Sequence, residues 1–200
     1  GAIFIMLNRG DYWQCAFVIP KGANERIRAS GLPAFRERLK GLLPVEPARA
    51  EELTDWQQVK LLNVQVNRLK TWWRDGFLAI GDAAHAMSPL GGVGINLAIQ
   101  DAVAAANILA APLRQGAVDN STLAAVQRRR QWPTRFTQQL QVTMQRRVID
   151  AALADTKVIS PPWFVRMMLA IPGLRDVPAR LIGIGVRPEH VAADILAPPA

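Results

Sequence analysis

The sequence predicts a mixed α/β fold of α+β character, with its strands in the first eighty residues and a mainly helical remainder. Three observations carry this. Extended, β-branched or aromatic runs broken by turn signals fill much of residues 1–80. A short apolar run, Phe77-Leu78-Ala79-Ile80, passes directly into a glycine-rich loop and then into an alanine-rich stretch from Leu97. Beyond it, apolar residues recur at helical spacings of three and four. The chain has 200 residues, 50% hydrophobic and 20% charged, an ordinary globular composition.

Taken in order, Gly1 to Asn8 reads as a strand, Arg9-Gly10-Asp11 as a turn, and Tyr12 to Pro20 as the second strand of a hairpin. Asn24 to Leu43 is helical but broken at Gly31-Leu32-Pro33, and Phe35, Leu39, Leu42 and Leu43 mark its apolar face. Pro44 to Pro47 is a linker, followed by a helical turn or two from Ala48 to Thr54. Val59, Leu61, Val64 and Val66 fit an extended segment with one slip in its alternation. Of the adjacent Trp72 and Trp73, one should be packed and one half-exposed. Asp75-Gly76 turns the chain into the short buried strand Phe77 to Ile80. The next helix begins near Ile95, runs to Leu113 and ends at the cap Gly116. Ser121 is the candidate N-cap of a further long helix, which Trp132-Pro133 kinks or restarts. Phe136, Leu140, Val142, Met144 and Val148 supply its apolar face. Ser160-Pro161-Pro162 opens a last segment. There an apolar helix carries Trp163, Phe164, Met167, Met168, Leu169 and Ile171, and a shorter helix spans Leu174 to Ile184.

The organising stretch is residues 77–109. Gly81-Asp82-Ala83-Ala84-His85 ends the strand, and Gly91, Gly92 and Gly94 strip side chains from the loop after it. The following helix directs free N–H groups and its positive dipole end at whatever that loop holds. A carboxylate, a bare loop and a helix N-terminus together suit a polyhydroxylated or anionic cofactor. The string Gly81-Asp82-Ala83-Ala84-His85, with Pro89, Gly91, Gly94, Asn96 and Asp101, resembles the second FAD motif of the para-hydroxybenzoate hydroxylase-like flavoprotein monooxygenases. A weaker similarity reaches back through Tyr12-Trp13-Gln14 and Pro20-Lys21-Gly22.

The resemblance implies part of an FAD/NAD(P)-binding Rossmann-like domain plus part of a β-sheet substrate domain, with C-terminal helices. It places the end of the substrate sheet in residues 1–70, the FAD-binding strand-loop-helix in 71–116 and a helical region in 117–200. It implies FAD as cofactor, held by Gly81, Asp82, Pro89, Gly91, Gly92, Gly94, Ile95 and Asn96. Asp82 would accept a hydrogen bond from the ribityl chain, and the Gly94–Asn96 backbone would face the flavin pyrimidine. The implied activity is hydroxylation of an aromatic or quinone-like small molecule with NAD(P)H as reductant and O2. An FAD-dependent reductase or halogenase, or a non-enzymatic fragment that kept the fold, are the competing readings. Ser88 departs from the second proline that close aromatic hydroxylases often carry. The ADP-binding GxGxxG of the family is absent here, because Gly183-Ile184-Gly185 lacks a preceding strand and the third glycine. The chain therefore reads as the C-terminal part of a longer protein, poor at binding FAD and inactive by itself.

No catalytic residue is assigned. His85 follows the motif carboxylate, where packing and hydrogen bonding are the expected role. One cysteine and two histidines supply no usual metal-ligand set, so no metal site is expected. Cys15 lies in a strand pattern as a buried small hydrophobe, and a single cysteine fits a reducing, cytoplasmic compartment. The net charge of +8 comes with no nucleic-acid reading module, so no nucleic acid partner is expected. Arg128-Arg129-Arg130 reads as a solvated helix face. Arg68 and Lys70 are either edge charges or contacts for an anionic ligand. The apolar segment 161–184, flanked by Arg166, Arg175 and Arg180, suits cover of the flavin domain, a homodimer partner or a peripheral membrane contact.

Overall fold

The computed structural model describes residues 2–44, 46–89, 92–144, 170, 171, 173, 174 and 176–196. The helix expected around Trp163 to Leu169, and with it most of the membrane or dimer surface, lies outside these residues, as do Gly91 and Val148. The described residues fall into two compact units, one within residues 2–63 and the other in 64–144 and 170–196.

In the first unit, β1 (Ile3–Asn8) and β2 (Trp13–Val18) pair antiparallel, with Ile3 opposite Val18 and Asn8 opposite Trp13. The turn closes through Arg9 N–H to Tyr12 O at 2.9 Å, with Gly10 at φ 89. Cys15 is exposed, contrary to the strand-pattern expectation. It belongs to a stretch of β2, residues 13–16, that stays open to solvent. The helical stretch is broken as expected, into α1 (Ala23–Ala29) and α2 (Gly31–Lys40). The break falls at Ser30-Gly31, where Gly31 has φ 85; Pro33 sits in the first turn of α2, where no intrahelical donor is lost. Phe35 is the buried anchor of α2, stacked on Trp56 at 5.2 Å and tilted towards Phe17 at 6.4 Å. The helical turn or two expected over Ala48 to Thr54 is a 3-10 helix at Pro47–Glu52.

The second unit carries the motif. The extended segment around residues 64–69 joins no sheet, correcting the strand expected across Val59 to Val66. It uses its donors on the motif loop instead, with Asn67 N–H to Ala86 O at 3.2 Å and Leu69 N–H to Ala84 O at 2.8 Å. Then β3 (Trp73–Arg74) and β4 (Phe77–Leu78) form a minimal antiparallel hairpin around Gly76. The strand expected through Ile80 has only two ladder residues, though Ala79 N–H still reaches Trp72 O at 2.7 Å. Trp72 is buried and Trp73 half-buried, as expected. Among the described residues both sheets are thus small hairpins, and helices dominate: α3 (Val93–Arg114), α4 (Asn120–Met144), α5 (Val177–Gly183) and α6 (Ala193–Leu196).

One expectation about α4 narrows and another changes. It continues through Pro133 without restarting. Its N-terminus is capped by Asp119 rather than Ser121, since Asp119 Oδ1 accepts from Thr122 N–H at 2.8 Å and from Thr122 Oγ1 at 2.6 Å. Its buried side is apolar at the start, with Leu123 and Val126, and then largely polar: Gln127, Arg130, Thr134, Gln138 and Gln141 recur at spacings of three and four and are all buried. The apolar residues Trp132 and Phe136 lie outside it, 56% and 40% exposed. By length and composition α3 could cross a bilayer. Here its polar side chains Asn96, Gln100, Asp101 and Asn107 bond to neighbouring segments of the same unit.

Candidate functional site: the glycine loop and the start of α3

The motif begins with a constrained glycine. Gly81 is buried at φ 58, and a Cβ there would lie 2.9 Å from the Ala98 Cβ on α3. The strand end therefore docks against the helix only with hydrogen at this position. Gly81 O accepts from Ala84 N–H and His85 N–H, both at 2.9 Å, closing a 3-10 turn over Gly81–Ala83. That turn aims Asp82 outward, and its carboxylate is exposed.

The start of α3 stands opposite. Its N-cap is Gly92, at φ 65, a residue that makes no side-chain cap hydrogen bond. The orphan amides of this turn thus keep their capacity for an outside acceptor. Gly94 sits in that first turn. A Cβ built on it would be 3.9 Å from Asp82 Oδ1 and 3.7 Å from Met87 Cβ. Carboxylate and bare helix start are therefore adjacent. The residues expected to hold the cofactor separate into two groups. Gly81, Asp82, Gly92 and Gly94 converge on this niche. The Ile95 side chain is 68% exposed, and the Asn96 side chain turns to Gly183 O at 3.0 Å. Pro89 is exposed, and its carbonyl accepts from Gly92 N–H at 3.1 Å, which bends the loop into the helix.

Behind the niche lies a buried charged network that pattern reading missed. His85 Nε2 lies 2.5 Å from Asp101 Oδ2, and the same oxygen accepts from Gly81 N–H at 3.1 Å. Asp101 Oδ1 accepts from Arg130 Nε at 2.9 Å, and both ionic side chains are fully buried. The His85 ring packs at 5.0 Å from Trp72. His85 is thus buried and bonded, the expected role. Asp101 is an ion-pair centre, bonded to both His85 and Arg130. Arg130 is buried, which corrects the solvated reading of the Arg128–Arg130 run. Among the described residues, no group of three or more His, Cys, Asp or Glu could hold a metal ion.

The amides of α4 complete the support. Gln127 accepts from Trp72 N–H at 3.0 Å and donates to Lys70 O at 2.9 Å. Gln138 donates to Asn67 O and Ala86 O, and Gln141 donates to Ser88 O at 2.9 Å. Arg68 is not a free anion receptor. Its Nη1 donates to Gln138 Oε1 at 2.6 Å, and burial, with Arg135 nearby, draws its pKa down. Lys70 is exposed. The signal that could have revealed this layer is the three-and-four spacing of Gln and Arg on one face of α4, which reads as a solvent face by hydropathy alone.

The sequence profile of the family described as "FAD binding domain" matches residues 2–140. The chain belongs to the FAD-binding-domain family. It is 32% identical to the 6-methylpretetramide 4-monooxygenase of Streptomyces rimosus over 186 residues, 92% of this chain and 44% of that enzyme. It is 38% identical to the FAD-dependent monooxygenase cle3 of Aspergillus versicolor over 65 residues, 32% of this chain and 13% of that one. A Synechocystis protein, slr1300, is 36% identical over 73 residues. The chain spans less than half the length of these relatives.

The residues present fit FAD. An exposed carboxylate suits a polyol hydroxyl as donor, and the first turn of α3, with glycine at its N-cap, suits an acceptor or an anionic ring edge. Glycine at 92 and 94 leaves the approach to both free of side chains.

Proposed function

We propose that this chain is the flavin-and-substrate half of an FAD-dependent monooxygenase that hydroxylates a small aromatic or quinone-like molecule. The observation that carries the reading is the pairing of Asp82 with the bare first turn of α3, in a chain whose family binds FAD. Bound flavin would supply the electron transfer and oxygen activation, with NAD(P)H as reductant. The protein's part is placement. Asp82 accepts a ribityl hydroxyl, and the amides of the α3 first turn stabilise negative charge at the pyrimidine edge. The buried His85–Asp101 pair keeps the turn rigid from behind. The Streptomyces relative's name points to a compound of the pretetramide kind as the substrate class, and the single cysteine suits a reducing compartment such as the cytoplasm.

The test uses the protein in its full natural length. Purified protein is titrated with FAD, then assayed for NAD(P)H oxidation and oxygen uptake with a panel of polycyclic phenols. The expected result is noncovalent FAD binding and one oxygen atom incorporated into a phenol. Reduction of a substrate, or halogenation with halide present, would move the assignment to the reductase or halogenase reading. Absence of FAD binding would overturn it.

A further inference from the structure

We propose that Arg130, braced by Glu189, is a positioning residue for the flavin loop and acts through Asp101. The proposal rests on the reading of Gly81–Asn96 as the flavin-binding segment.

The contacts form one chain. Asp82 follows Gly81, whose position is fixed by its N–H on Asp101 Oδ2 and by the 2.9 Å limit that Ala98 sets on any Cβ. The same carboxylate oxygen meets His85 Nε2, the last residue of the turn-forming string. Both anchors of the turn that carries Asp82 therefore converge on one carboxylate of α3. Its other oxygen is held by Arg130 Nε, so Asp101 can rotate only if Arg130 moves.

Arg130 has its remaining donors engaged on the C-terminal segment and on α3. Nη1 donates to Arg187 O at 3.0 Å and to Glu189 Oε1 at 3.3 Å, and Nη2 donates to Gln100 Oε1 at 3.1 Å. Glu189 is pinned in turn by Arg129, through Nε at 2.6 Å and Nη2 at 3.0 Å. Two arginines and two carboxylates thus balance, with Arg130, Asp101 and Glu189 almost wholly enclosed.

The chemistry argues for geometry over mere adhesion. A buried ion pair is on balance a weak stabiliser, because desolvation offsets its Coulomb attraction and apolar residues of similar volume often do as well. A planar guanidinium gripping a carboxylate adds directionality that an apolar pair lacks. The residue at the far end of this directional chain is the exposed carboxylate beside Gly94. Arg187 and Glu189, distant in sequence from the motif, thereby help to aim Asp82.

The experiment compares FAD-binding of the full-length protein with that of Glu189→Gln, Arg130→Lys, Arg130→Met and the charge-free pair Asp101→Asn/Arg130→Met. The readouts are FAD dissociation constant by fluorescence, visible circular dichroism of the bound flavin, and melting of the apoprotein. All binding is measured well below the melting temperature. If Arg130→Met fails to fold, the charge-free pair and Glu189→Gln carry the test. In the folded variants lacking the guanidinium, FAD affinity falls about tenfold, the scale of one lost charge-assisted hydrogen bond, and the flavin dichroism changes. Arg130→Lys lies between these and wild type, and Glu189→Gln shifts in the same direction by less. Folded variants with wild-type affinity and dichroism, whatever their melting temperature, would overturn the positioning role and leave the flavin reading standing. A wild-type protein that binds no FAD would remove the underlying reading itself.

Discussion

At Gly81 the absence of a side chain decides the local structure. Its φ of 58 and the 2.9 Å approach of Ala98 act together, so Gly81→Ala meets both backbone strain and a methyl-on-methyl clash. The backbone part alone is worth roughly 1–3 kcal/mol. Thermal or urea unfolding should show at least that loss, and FAD affinity should fall with it. Gly94 behaves differently. A Cβ there meets its neighbours only at ordinary contact distance, 3.7 and 3.9 Å, so Gly94→Val should fold. Its methyls would stand beside Asp82, and FAD titration should show weakened binding at near wild-type stability. Asp82→Ala removes only the exposed carboxylate. In the full-length protein it should cost about 1.5–3 kcal/mol of FAD binding, the range for a hydrogen bond to a charged group, with little change in melting. Unaltered affinity in that variant would count against Asp82 as the ribityl acceptor.

Among elements, α3 and α4 differ in what their sequences disclose. The strand-loop-helix around α3 was legible because glycines, an apolar run and a motif string agree on one geometry. The stripe on α4 was not, because burial there is decided by hydrogen bonding. Gln127 replaces a missing strand partner for Trp72 and Lys70, and Gln138 does the same for the Asn67 carbonyl while adding a second donor to Ala86 O, which already accepts from Asn67 N–H. Such groups are buried only because each finds a partner, and partner positions are tertiary facts. Hydropathy consequently assigned Phe136 to the core and Arg130 to the surface, the reverse of what is found. The α4 cap was misplaced by two residues for a local reason, since Asp119 and Ser121 are both good caps and only the chain path chooses. That cap titrates. Hydrogen bonds from the Thr122 side chain, then the Thr122 backbone, then the Ser121 side chain hold the Asp119 carboxyl at about 2, below its ordinary 3.8. A carboxyl with a depressed folded pKa contributes fully above the unfolded value, and the contribution is lost as pH falls towards the folded one. Amide exchange at Thr122 should therefore be slower in wild type than in Asp119→Ala above about pH 4. The difference should fade as the pH approaches 2.

For the whole molecule, the decisive property is the division of the cofactor's binding surface. On the proposed reading, Asp82, Gly92, Gly94 and the first turn of α3 would address the flavin ring and its polyol chain. None of the 200 residues forms the glycine fingerprint that cradles a dinucleotide pyrophosphate. The adenylate half of FAD should accordingly gain little from this chain. The prediction is a comparison of FAD with FMN, two flavins that share the ring and ribityl chain. Titrated by flavin fluorescence, the 200-residue chain should bind the two with affinities within about threefold, a difference below 1 kcal/mol. The full-length protein should prefer FAD strongly. Folding of the isolated chain is checked first by cooperative thermal melting. A folded 200-residue chain that prefers FAD by more than tenfold would reveal an adenylate site in these residues, built from something other than a glycine fingerprint.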